Sequence, residues 1–100
     1  MNSGGSGPIM NDIISIDLLW QMLTEHQDET FYTMKKLPFH YVVKGGEIFV
    51  DRRSKSITKA TFQQALNRIS QNPGSVTGPK ALNVFGAPYI WALLKAFEIV

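Results

Sequence analysis

A segment near the middle of the chain, here called the connector, runs from Asp51 to Lys59 and combines basic with hydroxyl side chains. These side chains are Arg52, Arg53, Ser54, Lys55, Ser56, Thr58 and Lys59. Arg and Lys supply positive charge, Ser and Thr donate hydrogen bonds, and the free N–H groups of a helix's first turn point towards an anion. The connector therefore predicts phosphate binding. The same composition is also typical of a solvated loop whose hydroxyls cap the following helix.

Further basic residues could extend this surface. Lys35 and Lys36 lie in a predicted turn, and Lys80 lies in a later loop. Residues 1–33 carry five acidic residues and no Lys or Arg, whereas residues 34–100 carry all ten basic residues and three acidic ones. The formal net charge of +2 hides this asymmetry. It predicts either an anionic partner or an acidic segment that covers the basic one.

Catalytic and metal chemistry have little support in the sequence. The chain has no cysteine, which excludes thiolate zinc sites, thiol nucleophiles and disulfides. A zinc site needs three or four converging ligands. The chain has two histidines, His26 and His40, so histidines alone cannot complete such a site. Ser54, His40 and Asp51 could be written as a triad, but no nucleophile-elbow pattern surrounds Ser54. His40 is better interpreted as a solvent-facing cross-strand partner of Asp51, and we expect no enzyme activity, no cofactor and no metal.

Length and composition place the chain in one class. Its 100 residues, 44% apolar and 18% charged, are typical of one small globular domain. Residues 1–9 are rich in Gly and Ser and are interpreted as an expression tag or disordered tail, so the domain is expected at 10–100. No apolar run approaches the roughly 18 residues of a membrane span, and no signal peptide is recognisable. We therefore expect a cytoplasmic protein with no membrane partner.

The elements that position these side chains follow from periodicity. Asn11 or Asp12 is predicted to cap a first, acidic helix from Asp12 to His26. A second helix is predicted from Lys59 to Ser70, capped by Thr58 or Ser56. A last helix begins near Pro88 and is apolar on most of its surface, so we expect it at the centre of the core. The segment from Ala81 to Phe85 is either a short helical turn or extended.

Three short antiparallel strands are predicted at residues 31–34, 39–43 and 48–50, with a two-residue turn at Gly45 and Gly46. This turn fixes the facing pairs, which are Lys44 with Glu47, Val43 with Ile48, Val42 with Phe49, Tyr41 with Val50, and His40 with Asp51. The core face then carries Phe39, Tyr41, Val43, Ile48 and Val50. Val42 and Phe49 lie on the opposite face, where an exposed pair could contact a partner. The predicted fold is α+β, with an N-terminal helix, a three-stranded β-meander and two C-terminal helices packed on one sheet face.

Two segments, at residues 49–66 and 78–94, resemble a loose group of small bacterial domains of no established activity. Those domains join a hairpin to a helix through an Arg/Ser-rich connector and end in an aromatic helix that follows a glycine. The group is associated with prophage or defence gene products. The resemblance implies that Arg52, Arg53, Ser54, Lys55 and Thr58 form the connector and that Gly86, Pro88 and Tyr89 begin the final helix. Pro88 stands where the group has Ser or Thr.

The leading functional prediction is a small nucleic-acid-binding or nucleic-acid-associated module that contacts mainly phosphates. The predicted contacts are Arg52, Arg53, Ser54, Lys55, Thr58 and Lys59, extended by Lys35 and Lys36. Counterion release would drive such binding. The alternative is a protein-interaction module, for example a homodimer, that uses the Val42 and Phe49 pair or sets the acidic first helix of one copy against the basic half of another. The acidic helix could instead fold back on its own basic half.

Overall fold

The computed structural model describes residues 14–52, 55–72 and 74–100. Within them the chain is α+β, with three α-helices and two small antiparallel sheets. The elements are α1 (Ile16–Glu25), β1 (Phe31–Tyr32), β2 (Pro38–Phe39), β3 (Tyr41–Lys44), β4 (Glu47–Val50), β5 (Ile57–Thr58), α2 (Lys59–Gln71), a 3-10 turn (Pro79–Leu82) and α3 (Ala87–Ala96). The predicted tail at 1–9 lies outside the described residues.

Helix α1 begins later than predicted. Ser15 has an extended backbone, and its hydroxyl accepts the N–H of Leu18 at 3.1 Å, so Ser15 is the N-cap. The prediction of a cap at Asn11 or Asp12, both outside the described residues, was therefore wrong. Serine caps a helix about as well as Asn or Asp. Because the backbone of Ser15 is extended, the helix does not continue towards the N-terminus, and Ile16 is its first residue. Asp17 still places an acid in the first turn, where the helix dipole favours it.

The other two helices match their sequence signals. Thr58 caps α2, because its hydroxyl accepts the N–H of Thr61 at 3.2 Å, and this confirms the predicted start. Helix α3 begins after Gly86 with Pro88 in its first turn, and six of its ten residues are buried, so its predicted central position is confirmed. Of the undecided segment from Ala81 to Phe85, the first two residues complete a 3-10 turn at Pro79–Leu82, which ends at the left-handed backbone of Asn83. Residues 83–85 belong to no helix or strand.

The predicted β-meander is correct in its hairpin and wrong in its other strand. Strands β3 and β4 pair around Gly45 and Gly46 in the predicted register. The third strand of this sheet is β5, which pairs with β4. The predicted first strand instead pairs, as β1, with β2 in a separate sheet, because the expected 39–43 strand is interrupted at His40. Ile57 is fully buried, and this burial explains why so short a segment joins the sheet.

The two faces of the larger sheet differ as predicted. Tyr41, Ile48 and Val50 are buried on the core face, whereas Val42 and Phe49 are 48% and 42% exposed on the other. Among the core-face residues, Val43 is half-buried. Helix α2 packs mainly against α1 and β5, and α3 packs mainly against the 3-10 turn and β1. The start of α3 also lies against Ile57 of the larger sheet.

Helix α1 covers the edge strand β3. The indole Nε1 of Trp20 donates to the carbonyl oxygen of Gly45 at 2.8 Å, and the hydroxyl of Tyr41 donates to the carbonyl oxygen of Leu23 at 2.6 Å. Burial raises the pKa of Tyr41 above its ordinary value. The backbone N–H of Val43 in β3 donates to the Oε1 of Gln27 at 2.9 Å, so a polar group that an open sheet edge would leave free has a partner. No helix in the described part of the chain is long and apolar enough to cross a membrane.

Candidate functional site

Several polar groups of the connector form hydrogen bonds within the chain. The hydroxyl of Thr58 caps α2, and the hydroxyl of Ser56 donates to the carboxylate of Glu47. The backbone N–H of Lys59 donates to the carbonyl oxygen of Gly46 at 2.8 Å, and the Thr61 N–H donates to Thr58. Donors that a bound phosphate would need already have acceptors. This arrangement favours the interpretation of the connector as a capping loop.

The basic side chains of the connector also have contacts within the chain. The ammonium of Lys59 lies 3.2 Å from the carboxylate of Asp17 on α1 and 5.8 Å from the Trp20 ring centre. The Nε of Arg52 donates to the carbonyl oxygen of Pro38 at 2.6 Å, and the ammonium of Lys55 lies 5.9 Å from a ring centre, that of Phe85. Arg53 and Ser54 lie outside the described residues. An exposed ion pair therefore joins the acidic helix to the connector within one chain.

Lys35 and Lys36 lie elsewhere, at the tip of the β1–β2 hairpin. The N–H of Thr33 donates to the carbonyl oxygen of Leu37 at 3.0 Å, and the N–H of Lys36 donates to the carbonyl oxygen of Thr33 at 2.9 Å. Lys36 has a φ of 67°, in the left-handed region that a three-residue hairpin loop usually fills with glycine. A lysine at this position is conformationally less favourable than glycine would be.

One groove, which we call the wide groove, lies between the hairpin tip, residues 77–81 and the start of α3. Its volume is about 840 Å³. Lys35 and Lys80 both line it, so the fold brings these two predicted basic residues together. The walls between them are largely apolar and include Met34, Leu37 and Tyr89.

A second groove, which we call the narrow groove, lies on the other side of the hairpin tip against α3 and has a volume of about 480 Å³. Lys36 and Lys95 line it together with Tyr32 and Trp91. Lys95 is not among the binding residues predicted from the sequence. Its position four residues after Trp91 places both on one helix face, and this spacing was the available signal.

The four lysines of the two grooves form what we call the hairpin surface: Lys35, Lys36, Lys80 and Lys95. All four side chains are exposed, and none forms an ion pair with an acidic residue in the described part of the chain. No acidic residue among those described lines either groove. Like charges that converge without counter-charges produce a positive potential that attracts anions.

Aromatic side chains lie among these lysines. Tyr32 is 58% exposed at the narrow groove. Tyr89 is half-buried in the wide groove, where it packs edge-on against Phe39 with 5.1 Å between ring centres. The Nε1 of Trp91 is buried and has no hydrogen-bond acceptor among the described residues. The surface thus combines cationic groups, ring faces and one buried donor.

His40 and Asp51 form the predicted cross-strand pair. Their closest side-chain nitrogen and oxygen are 3.4 Å apart, and both side chains are about half exposed. The N–H of His40 donates to Asp51 at 3.0 Å and, with the imidazole, holds the pKa of that carboxyl below its ordinary value. Within the described ranges, no group of three or more potential ligand side chains could hold a metal ion.

Comparison of the chain with family models, curated proteins and solved structures gives no match. The resemblance noted in the sequence therefore adds no argument about the site, and the proposals below depend on the geometry of the hairpin surface.

Proposed function

We propose that the protein is a small nucleic-acid-binding module whose hairpin surface contacts backbone phosphates. The observation that carries this proposal is the convergence of Lys35, Lys36, Lys80 and Lys95 around one hairpin tip without acidic neighbours in the grooves they line. Lysine is a flexible point charge that suits phosphate contact without reading of base sequence. The expected binding is therefore strong at low salt and tolerant of sequence.

The location of these contacts differs from the sequence prediction. Lys35 and Lys36 belong to the predicted site, Lys80 was named as an extension of it, and Lys95 joins it through the fold. In the connector, Lys59 has a counter-charge at 3.2 Å in Asp17, and Arg52 donates to the carbonyl oxygen of Pro38, so these groups are less available to a phosphate. If each lysine of the hairpin surface contacts one phosphate, the logarithm of affinity should fall with the logarithm of salt concentration with a slope of about −3 to −4.

The test compares two variants of equal net charge by fluorescence anisotropy with labelled oligonucleotides at about 50 and 200 mM salt. One variant removes the hairpin surface (Lys35→Ala, Lys36→Ala, Lys80→Ala, Lys95→Ala). The control removes four other basic residues (Lys44→Ala, Lys55→Ala, Lys59→Ala, Arg68→Ala). We expect the first variant to lose at least about tenfold in affinity and most of the salt slope, because each lost phosphate contact lowers the slope by about one. The control should stay within about threefold of wild type.

Two results would overturn the proposal. The first is that wild-type protein binds no nucleic acid at the lower salt concentration. The second is that the control loses as much affinity as the hairpin-surface variant, since binding would then depend on overall charge or on the connector.

A second candidate function is self-association, and the exposed Val42 and Phe49 pair favours it. The partner would be a second copy that packs its own outer sheet face on this pair. Multi-angle light scattering over a range of protein and salt concentrations tests this candidate. A dimer that Phe49→Thr abolishes supports it, and a monomer under every condition excludes it.

A further inference from the structure

We infer that the wide groove receives one unstacked nucleobase, so that the protein distinguishes single strands from duplexes. This inference rests on the proposed function and adds the state of the nucleic acid that is bound. An exposed basic surface is sufficient for phosphate contacts. The wide groove adds a recess of about 840 Å³ between two of the lysines.

The walls of the wide groove suit a flat, apolar ring. Met34 and Leu37 contribute from the hairpin, Pro79 from the 3-10 turn, and Pro88 and Tyr89 from the first turn of α3. The edge-on contact with Phe39 supports the Tyr89 ring from one side. Aromatic rings bind bases of any sequence by stacking, since every base has a π-face.

Charge and size agree with this occupant. Lys35 and Lys80 line the same groove as the apolar residues, so a base that enters would bring its own phosphates towards an ammonium group. The volume lies within the range of about 300–1,000 Å³ that is typical of small-ligand sites. The narrow groove, at about 480 Å³, has Lys36 and Lys95 in its lining and suits a neighbouring phosphate of the same strand.

A duplex keeps its bases stacked and paired, so a base can enter the groove only after unstacking. Unstacking costs a few kcal/mol in a duplex and is least costly when the base is already single-stranded. The wide groove therefore favours single strands, whereas the lysines attract the phosphates of single strands and duplexes alike.

Gly78 offers a way to fill the groove without removing charge. Its backbone is extended, with a φ of −171°, which any residue can adopt. The nearest atom to an added Cβ is the Sδ of Met34 at 4.0 Å, so a side chain there enters the groove beside the hairpin. Gly46, in the β3–β4 turn, is a matched control because an added Cβ has no neighbour within 4 Å.

The experiment measures binding of a labelled strand of about 12 nucleotides, a length within the site sizes of single-strand binders, and of the matching duplex. Wild-type protein, Gly78→Leu and Gly46→Leu are compared at low salt. We expect wild type to bind the single strand roughly tenfold more tightly than the duplex. Gly78→Leu should lose this preference while it keeps its duplex affinity and salt slope, and Gly46→Leu should behave as wild type.

The outcomes separate the two proposals. If wild type binds single strand and duplex equally and the affinity depends on the four lysines, the proposed function stands and the base-binding groove is overturned. Single-strand preference that survives in Gly78→Leu also overturns it. If wild type binds neither nucleic acid, both proposals fail. Thermal unfolding checks that each variant is folded, and Ala81→Leu, at an exposed residue of the same groove, replaces Gly78→Leu if that variant does not fold.

Discussion

The connector and the hairpin surface are both basic, yet the fold treats them differently. In the connector, Thr58 caps a helix, Lys59 pairs with an acid and Arg52 donates to a backbone carbonyl. In the hairpin surface, four lysines from three separate segments converge with no ion pair among the described residues. The comparison shows that the density of charge along a sequence does not measure its availability in the folded protein.

The difference has a physical cause. The connector follows the buried Val50, contains the buried Ile57 and ends at the first residue of α2. Its polar groups lie close to free helix donors and to neighbouring acids, and they bond to them. The hairpin tip has to close one turn, so the side chains of Lys35 and Lys36 remain exposed to solvent. Exposure without a counter-charge makes a basic residue available to a partner.

The largest expected effect concerns the attachment of the connector to the core. Gly86 has a φ of 72°, and an added Cβ would lie 2.5 Å from the Cδ1 of Ile57. Gly86→Ala should therefore lower the free energy of unfolding by about 2–4 kcal/mol, through backbone strain and overpacking. Gly78→Ala, beside the hairpin surface, should change it by less than about 0.5 kcal/mol. Urea denaturation of both variants checks this contrast, and equal effects would contradict it.

The next effect separates capping from binding within the connector. Thr58→Ala should lower the free energy of unfolding by about 1 kcal/mol, because α2 loses its N-cap acceptor, and Thr58→Ser should restore most of it. Neither substitution should change oligonucleotide affinity by more than about twofold, a shift of under half a kcal/mol. A large loss of affinity in Thr58→Ala with unchanged stability would place the connector in the binding site.

A smaller effect of opposite sign is expected at the hairpin tip. Lys36→Gly should raise the free energy of unfolding by roughly 0.5–1 kcal/mol, since glycine adopts the left-handed backbone without a steric cost. The same change should weaken oligonucleotide binding, because a phosphate contact is lost. Lys36→Ala is the control: it should weaken binding equally without the gain in stability. Lys36→Gly that leaves affinity unchanged would remove Lys36 from the site.

The smallest effect is on acid stability at the start of the connector. The pKa of Asp51 is lowered by the N–H of His40, so the ionised carboxylate stabilises the folded state. This stabilisation is complete above the ordinary Asp pKa of about 4 and is lost as the pH falls through the lowered value in the folded protein. Asp51→Asn should therefore flatten the decline of the melting temperature below about pH 4. An unchanged decline would show that His40 does not hold this carboxylate in solution.

The parts of the fold that local chemistry decides were predictable from the sequence. Thr58 before an apolar stripe predicts the start of α2, and the Gly45 and Gly46 turn predicts the register of the β3–β4 hairpin; both are confirmed. Strand β5 was missed, because two residues carry no periodicity and the burial of Ile57 is a property of the whole core.

The candidate site was predictable in part for the same reason. Lys35 and Lys36 are recognisable as turn residues, but their neighbours are not recognisable from local sequence. Lys80 and Lys95 reach the hairpin tip because α3 packs against β1 and the 3-10 turn. From the sequence alone, a basic site is expected where basic residues lie close together along the chain. This criterion favours the connector.

The most direct test of binding at the hairpin surface is two-dimensional NMR. Backbone amide shifts are followed as a single-stranded oligonucleotide is added at low salt. Binding at the hairpin surface predicts the largest shifts at the hairpin turn, residues 33–37, at residues 77–81 and around Lys95, with the connector and the first turn of α2 little changed. The largest shifts at Arg52, Lys55 and Lys59, with an unchanged hairpin tip, would contradict it.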